Sequence, residues 1–107
     1  MKTIYRQGDV LIIKVDRDPI GSEWSEVPRE GGRVVLAHGE LTGHAHAIAE
    51  RTATLYESKS TQDRLLQVGR AVILGHEEHD PIKLRKGTYI IRRQREYTPE
   101  RIITVAD

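Results

Sequence analysis

The sequence predicts an all-β protein, a small antiparallel β-barrel or sandwich. Short runs of β-branched and aromatic residues recur along the chain, Gly- or Asp-containing turns divide them, and helical periodicity is thin. Strands of this length and spacing bury their apolar faces by closing into a barrel or by stacking as two sheets.

The series opens with "TIYRQ", which Gly8 separates from "DVLIIKV". The next segment, "RDPIGSEWSEVPREGG", carries two prolines, three glycines and no sustained period, and predicts a long loop with Trp24 as its hydrophobic anchor. Then come "RVVLA", "HAHAIAE", "TATLYES", "RLLQV", "AVIL", "PIKL" and "GTYIIRRQREY". The turns "HGELTG", "KSTQD", "GHEEHD" and "RKG" break this run of strands. Residues 58–66 have room for one helical turn. In "TPERIITVAD", Thr98 and Pro99 suit an N-cap and first helical position, but Ile102, Ile103, Thr104 and Val105 are all β-branched and favour a final strand. With no repeat or linker, residues 1–107 read as one β-barrel domain.

At 107 residues the chain can bury roughly 65% of its unfolded surface, enough to fold without staples. It has no cysteine, which excludes disulfides, iron–sulfur clusters and thiolate zinc sites; any metal must take nitrogen and oxygen ligands. Near the N-terminus the apolar run covers only residues 10–13, too short for a secretory core or a membrane span, so a soluble cytoplasmic protein is expected. Net charge is +1 and selects no partner. Residues 82–107 are more basic than the rest, a pattern that most often marks a solvated face.

Four of the five histidines fall in two short segments, "GHAHAIAE" (43–50) and "GHEEHD" (75–80). On an extended strand His44, His46, Ile48 and Glu50 share one face and Ala45, Ala47 and Ala49 the other. The small alanine face suits close packing against another layer, which leaves the polar face looking into a cleft. Two imidazoles at i and i+2 can converge on a divalent metal, with Glu50 as a ligand or base. A strand-borne His-x-His can equally well face solvent. His76 and His79 are three apart after the apolar "AVIL", so a turn must present them. His38, at a strand end, is better placed for a surface role or for supporting a ligand. A ligating histidine needs its second ring nitrogen held, and Glu40, Glu77, Glu78 and Asp80 are near enough in sequence to do so.

The stretch "GELTGHAHAIAE" resembles the first motif of the cupin superfamily, in which a glycine precedes His-x-His and a glutamate follows. Gly39, His44, His46 and Glu50 match it, with four rather than five residues between glycine and histidine, and "LRKGTYII" is similar to a turn that recurs in cupin barrels. The resemblance implies a small β-barrel holding iron, manganese, zinc or another divalent ion. By that resemblance His44, His46 and Glu50 would be ligands and His76 or His79 would supply the last one, in place of the missing second motif; if the site is catalytic, Glu50 and His79 are the acid–base candidates. "RQGDVLI", "GELTGHAHAI" and "RQREY" together also resemble small bacterial and phage-associated proteins, a likeness that carries no activity.

In "GTYIIRRQREY" both faces begin apolar and end polar, so the strand starts in the core and emerges at a rim or edge. An edge strand protected by charge is the favoured account. Arg93 and Arg95 are the candidates for holding a small anionic substrate near the metal. The alternative function is metal-independent RNA binding or cleavage, with histidines as acid and base and Arg92, Arg93 and Arg95 on phosphates. Near-neutral net charge makes a nucleic-acid partner the weaker expectation. A homodimer with a pH-sensitive histidine interface is a third possibility.

Overall fold

Each of the nine strand-like runs forms a strand, and a tenth strand arises inside the expected loop. The computed structural model describes residues 3–17, 19–39 and 43–94. In chain order the strands are β1 (Ile4–Gln7), β2 (Val10–Val15), β3 (Trp24–Glu26), β4 (Val34–His38), β5 (Ala45–Ile48), β6 (Ala53–Ser58), β7 (Arg64–Val68), β8 (Val72–Gly75), β9 (Ile82–Leu84) and β10 (Gly87–Arg93). Among the described residues there is no α-helix, and none is long and apolar enough to cross a membrane. The region expected to hold a last strand, residues 98–107, lies outside the described residues.

All strand pairs are antiparallel and form two sheets, ordered β1-β2-β10-β7-β6-β3 and β4-β5-β8-β9. Of the two expected architectures this is the sandwich, not a closed barrel. The inner faces meet in one apolar cluster, with Val10, Ile12, Leu55, Leu66, Val68, Tyr89 and Ile91 from the larger sheet. Val34, Leu36, Ile48, Val72, Leu74 and Leu84 come from the smaller one. Each such large side chain contributes roughly 1.5–3 kcal/mol by leaving water.

Three local expectations change. The segment 17–32 contributes β3, an edge strand on β6, and it is Val27 that packs against the core, whereas Trp24 stays half-buried. β10 is not an edge: it lies between β2 and β7, with Ile91 opposite Ile12 on one side and Arg64 on the other. On β5 it is Ile48, from the histidine face, that enters the main core. Ala45 and Ala47 form a small separate cluster with Val35 on the opposite face.

The hairpin between β1 and β2 carries two polar side chains, Gln7 and Asp9, to one end of the sandwich. Gln7 pairs with Val10 across a two-residue turn, Gly8–Asp9, with Gly8 at φ +59°. Two-residue hairpins need positive φ at their first central position, and glycine adopts it without steric cost.

Candidate functional site

At this end of the sandwich the strands of both sheets deliver polar side chains to a common cleft of about 390 Å³. It is lined by Asp9, Gly39, His46, His76, Glu78, His79 and Arg93. His46 comes from β5, while His76 and His79 come from the connection after β8, drawn in because Gly75 pairs with Ala47 beside His46. Asp9 is in the β1–β2 turn, and Arg93 ends β10 on the face of Tyr89 and Ile91.

The three rings of His46, His76 and His79 form a close group. Ring centroids are 4.3 Å apart for His46 and His76, 4.6 Å for His76 and His79, and 6.0 Å for His46 and His79. His44 stands at its margin, 5.9 Å from His76 and edge-on to it. Two glycines make room for these rings. A Cβ on Gly8 would come within 2.8 Å of His79 Nε2, and one on Gly39 within 3.0 Å of the His44 Cβ and 3.2 Å of His76 Nε2.

Buried hydrogen bonds fix the tautomer of His46. Gln7, only 2% exposed at the end of β1, reaches across the sandwich to the smaller sheet. Its Nε2 donates to Leu74 O (3.1 Å) and Asp80 O (3.0 Å). Carbonyl oxygens only accept, so the amide cannot be flipped, and Gln7 Oε1 must face His46 Nδ1 at 2.9 Å. His46 therefore carries its hydrogen on Nδ1, and Nε2 presents a lone pair towards the cleft. His76 differs, since the Glu78 amide donates to its Nδ1 at 3.0 Å, which puts the hydrogen of the neutral ring on Nε2. His44 Nδ1 lies 3.2 Å from Glu78 Oε1.

The electrostatics reflect burial and neighbours. Burial, then the charges of His76, His79 and Arg93, push His46 down to about 4 against a smaller upward pull from Asp9, so the ring is neutral at pH 7. For Asp9, burial acts upward, but the hydrogen bond and charge of Arg93 outweigh it and hold the carboxyl below its ordinary value. Arg93 Nη2 and Nε donate to Asp9 Oδ2 at 2.7 and 3.2 Å. Glu77, held by the Ala45 amide at 2.9 Å, is also lowered.

Of the residues singled out from the sequence, His46, His76, His79 and Arg93 come together in the cleft, with His44 beside them. Glu50 does not join them. It lies past the end of β5, where its Oε2 accepts from the Ile73 amide at 3.0 Å. His38 pairs with Glu30 at the surface, 3.0 Å away. Glu78 does hold a histidine, as its position in "HEEH" suggested, whereas Glu40 and Arg95 lie outside the described residues. Arg92 is turned to Asp63 at 3.7 Å. Sequence reasoning missed Gln7 and Asp9. Their only signal was "QGD", a glutamine ending a strand at a tight turn. Among the described residues, no three His, Asp or Glu side chains are arranged to hold a metal ion as the rings stand.

Residues 6–94 match the family described as a domain of unknown function, DUF8820. The chain belongs to that family. The DUF8820 match spans Gln7, Asp9, all five histidines and Arg93, so every group lining the cleft lies within it. No curated protein and no solved structure matches the chain.

Proposed function

We propose that this protein binds a divalent metal ion in the cleft through His46, His76 and His79, beside Arg93 as the contact for a small anionic ligand. The single observation that carries this reading is the spacing of the three rings. An imidazole nitrogen about 2.1 Å from an ion places its ring centre about 3.2 Å away, so two such ligands at tetrahedral or right angles have centroids about 4.5–5.3 Å apart. The His76–His79 distance of 4.6 Å falls in that range and the His46–His76 distance of 4.3 Å just below it, whereas His46 and His79, at 6.0 Å, must draw closer to share an ion. The His46 tautomer adds support, because a ligating histidine needs its other nitrogen hydrogen-bonded, and Gln7 does this from a buried position. His76 must give up the Glu78 amide before it can ligate, whether it offers Nδ1 itself or moves its hydrogen from Nε2 to Nδ1.

Imidazole donors in a cleft that also holds carboxylates, without thiolate, suit iron, manganese or zinc, and such an ion would act as a Lewis acid. Around it, this chain's residues have separate tasks. Gln7 orients His46, the backbone at Gly8 and Gly39 leaves space for the rings, and Arg93 places a fixed positive charge at the cleft wall. The cupin resemblance of "GELTGHAHAIAE" agrees with His46 as a ligand, although Glu50 is engaged elsewhere.

Elemental analysis of untagged protein tests the proposal. About one ion per chain is expected, lost on His46→Ala combined with His79→Ala. Metal well below stoichiometric in the wild type, even after incubation with iron, manganese or zinc, would remove it.

A further inference from the structure

We propose that Asp9 supplies the carboxylate ligand of this site, its Oδ1 and His46 Nε2 holding the same ion between them. The inference rests on the metal-binding reading and deepens it. Glu50, the acid that the sequence pattern offers, is bonded to the Ile73 amide, while Asp9 stands in the cleft among the three rings.

With His46 neutral, two atoms that face each other across the cleft have no proton to share. In the neutral ring Gln7 assigns the His46 hydrogen to Nδ1, which leaves Nε2 as an acceptor. Opposite it, Asp9 Oδ1 lies 3.9 Å away. The two bonds from Arg93 to Asp9 go to the other carboxylate oxygen, Oδ2, so Arg93 orients the group and leaves Oδ1 turned towards the histidine. Two facing acceptors, each fixed by a separate donor or acceptor behind it, repel unless something positive lies between them. A cation satisfies both lone pairs at once. Ligands each about 2.1 Å from one ion at a tetrahedral angle are about 3.4 Å apart, so the observed gap needs to close by only about half an ångström.

A supporting partner stands behind each donor: Gln7 behind His46 and Arg93 behind Asp9. Both donors depend on the β1–β2 hairpin, since Gln7 is its last β1 residue and Asp9 its turn. The Gly8 backbone between them passes so close to His79 that a Cβ there would force the ring to shift. A water molecule can bridge two acceptors as well, and the experiment must separate it from an ion.

The test is titration of untagged full-length protein with Co²⁺ alone, followed by calorimetry and by the visible spectrum, for wild type, Asp9→Asn and Glu50→Gln. Asparagine keeps an oxygen for Arg93 but presents an amide to His46 Nε2. Expected is at least a tenfold loss of affinity and an altered cobalt spectrum for Asp9→Asn, with Glu50→Gln unchanged. If the wild type binds cobalt and Asp9→Asn binds it equally, with the same spectrum, Asp9 is no ligand although the metal reading stands. If the wild type binds no cobalt, iron, manganese or zinc, both readings fall. Should Asp9→Asn not fold, anomalous scattering from a cobalt-soaked wild-type crystal decides: an ion within about 2.5 Å of an Asp9 oxygen supports the assignment, and one bound only by imidazoles overturns it.

Discussion

Burial of a neutral His46 makes the metal-free protein acid-sensitive by an amount that can be worked out. The imidazole drops from its ordinary 6.5 to about 4 in the folded chain. Above pH 6.5 the ring is neutral in both folded and unfolded states and adds no pH dependence. As pH falls below 6.5 the unfolded chain takes up the proton first, so stability is lost down to pH about 4, where the folded ring also titrates. The full difference, 6.5 − 4, corresponds to about 3.4 kcal/mol at roughly 1.36 kcal/mol per pH unit, of which about 2.7 kcal/mol is lost by pH 4.5. Urea unfolding in EDTA at pH 7.5 and 4.5 measures it, with His46→Asn as reference. Asparagine can still donate to Gln7 Oε1 but does not titrate. The variant starts less stable, and the gap to wild type should narrow by about 2–3 kcal/mol between the two pH values. At about 1–3 kcal/mol per molar urea, this is a midpoint change of roughly 0.7–3 M. An equal gap at both pH values would show that His46 is not held neutral, and the tautomer assigned through Gln7 would lose its footing.

Other consequences are equally direct. Gln7→Leu strands a buried ring N–H and two carbonyls, so it should cost about 2–4 kcal/mol in chemical unfolding and shift His46 away from the Nδ1–H tautomer in ¹⁵N spectra. Gly8→Ala combines positive φ with a Cβ against His79 Nε2; a loss of about 1–3 kcal/mol and weaker metal binding are expected, read by melting and calorimetry. Arg93→Met removes what holds Asp9 down, so the Asp9 carboxyl should titrate higher in a ¹³C NMR pH series.

Much of the fold could be read along the chain because its signals are local. "TATLYES" alternates along its first residues and "RLLQV" is rich in strand-forming apolar residues, and Ala53, Leu55, Leu66 and Val68 are the side chains that enter the core. Trp24 misled because its size suggested an anchor, whereas a three-residue edge strand leaves it half-buried. β10 misled in the opposite way: its arginines suggested an edge, yet they gather at the end of a central strand, where the sandwich opens and Asp9 waits as a partner. The histidine pairs were legible as residues worth watching. Their companions were not, since Gln7 is 39 residues from His46 and Asp9 is 84 from Arg93.

By itself the sequence determined the all-β character, the positions of nine strands and the absence of thiolate chemistry, because strand alternation and ligand type are properties of neighbouring residues. Only the tertiary structure decided that two sheets stack without closing, that Glu50 serves the β8 backbone, and that Gln7, Asp9 and Arg93 meet the imidazoles. Those meetings depend on strand order and on which sheet each strand joins, which the packing of the whole core selects and no short stretch of chain encodes.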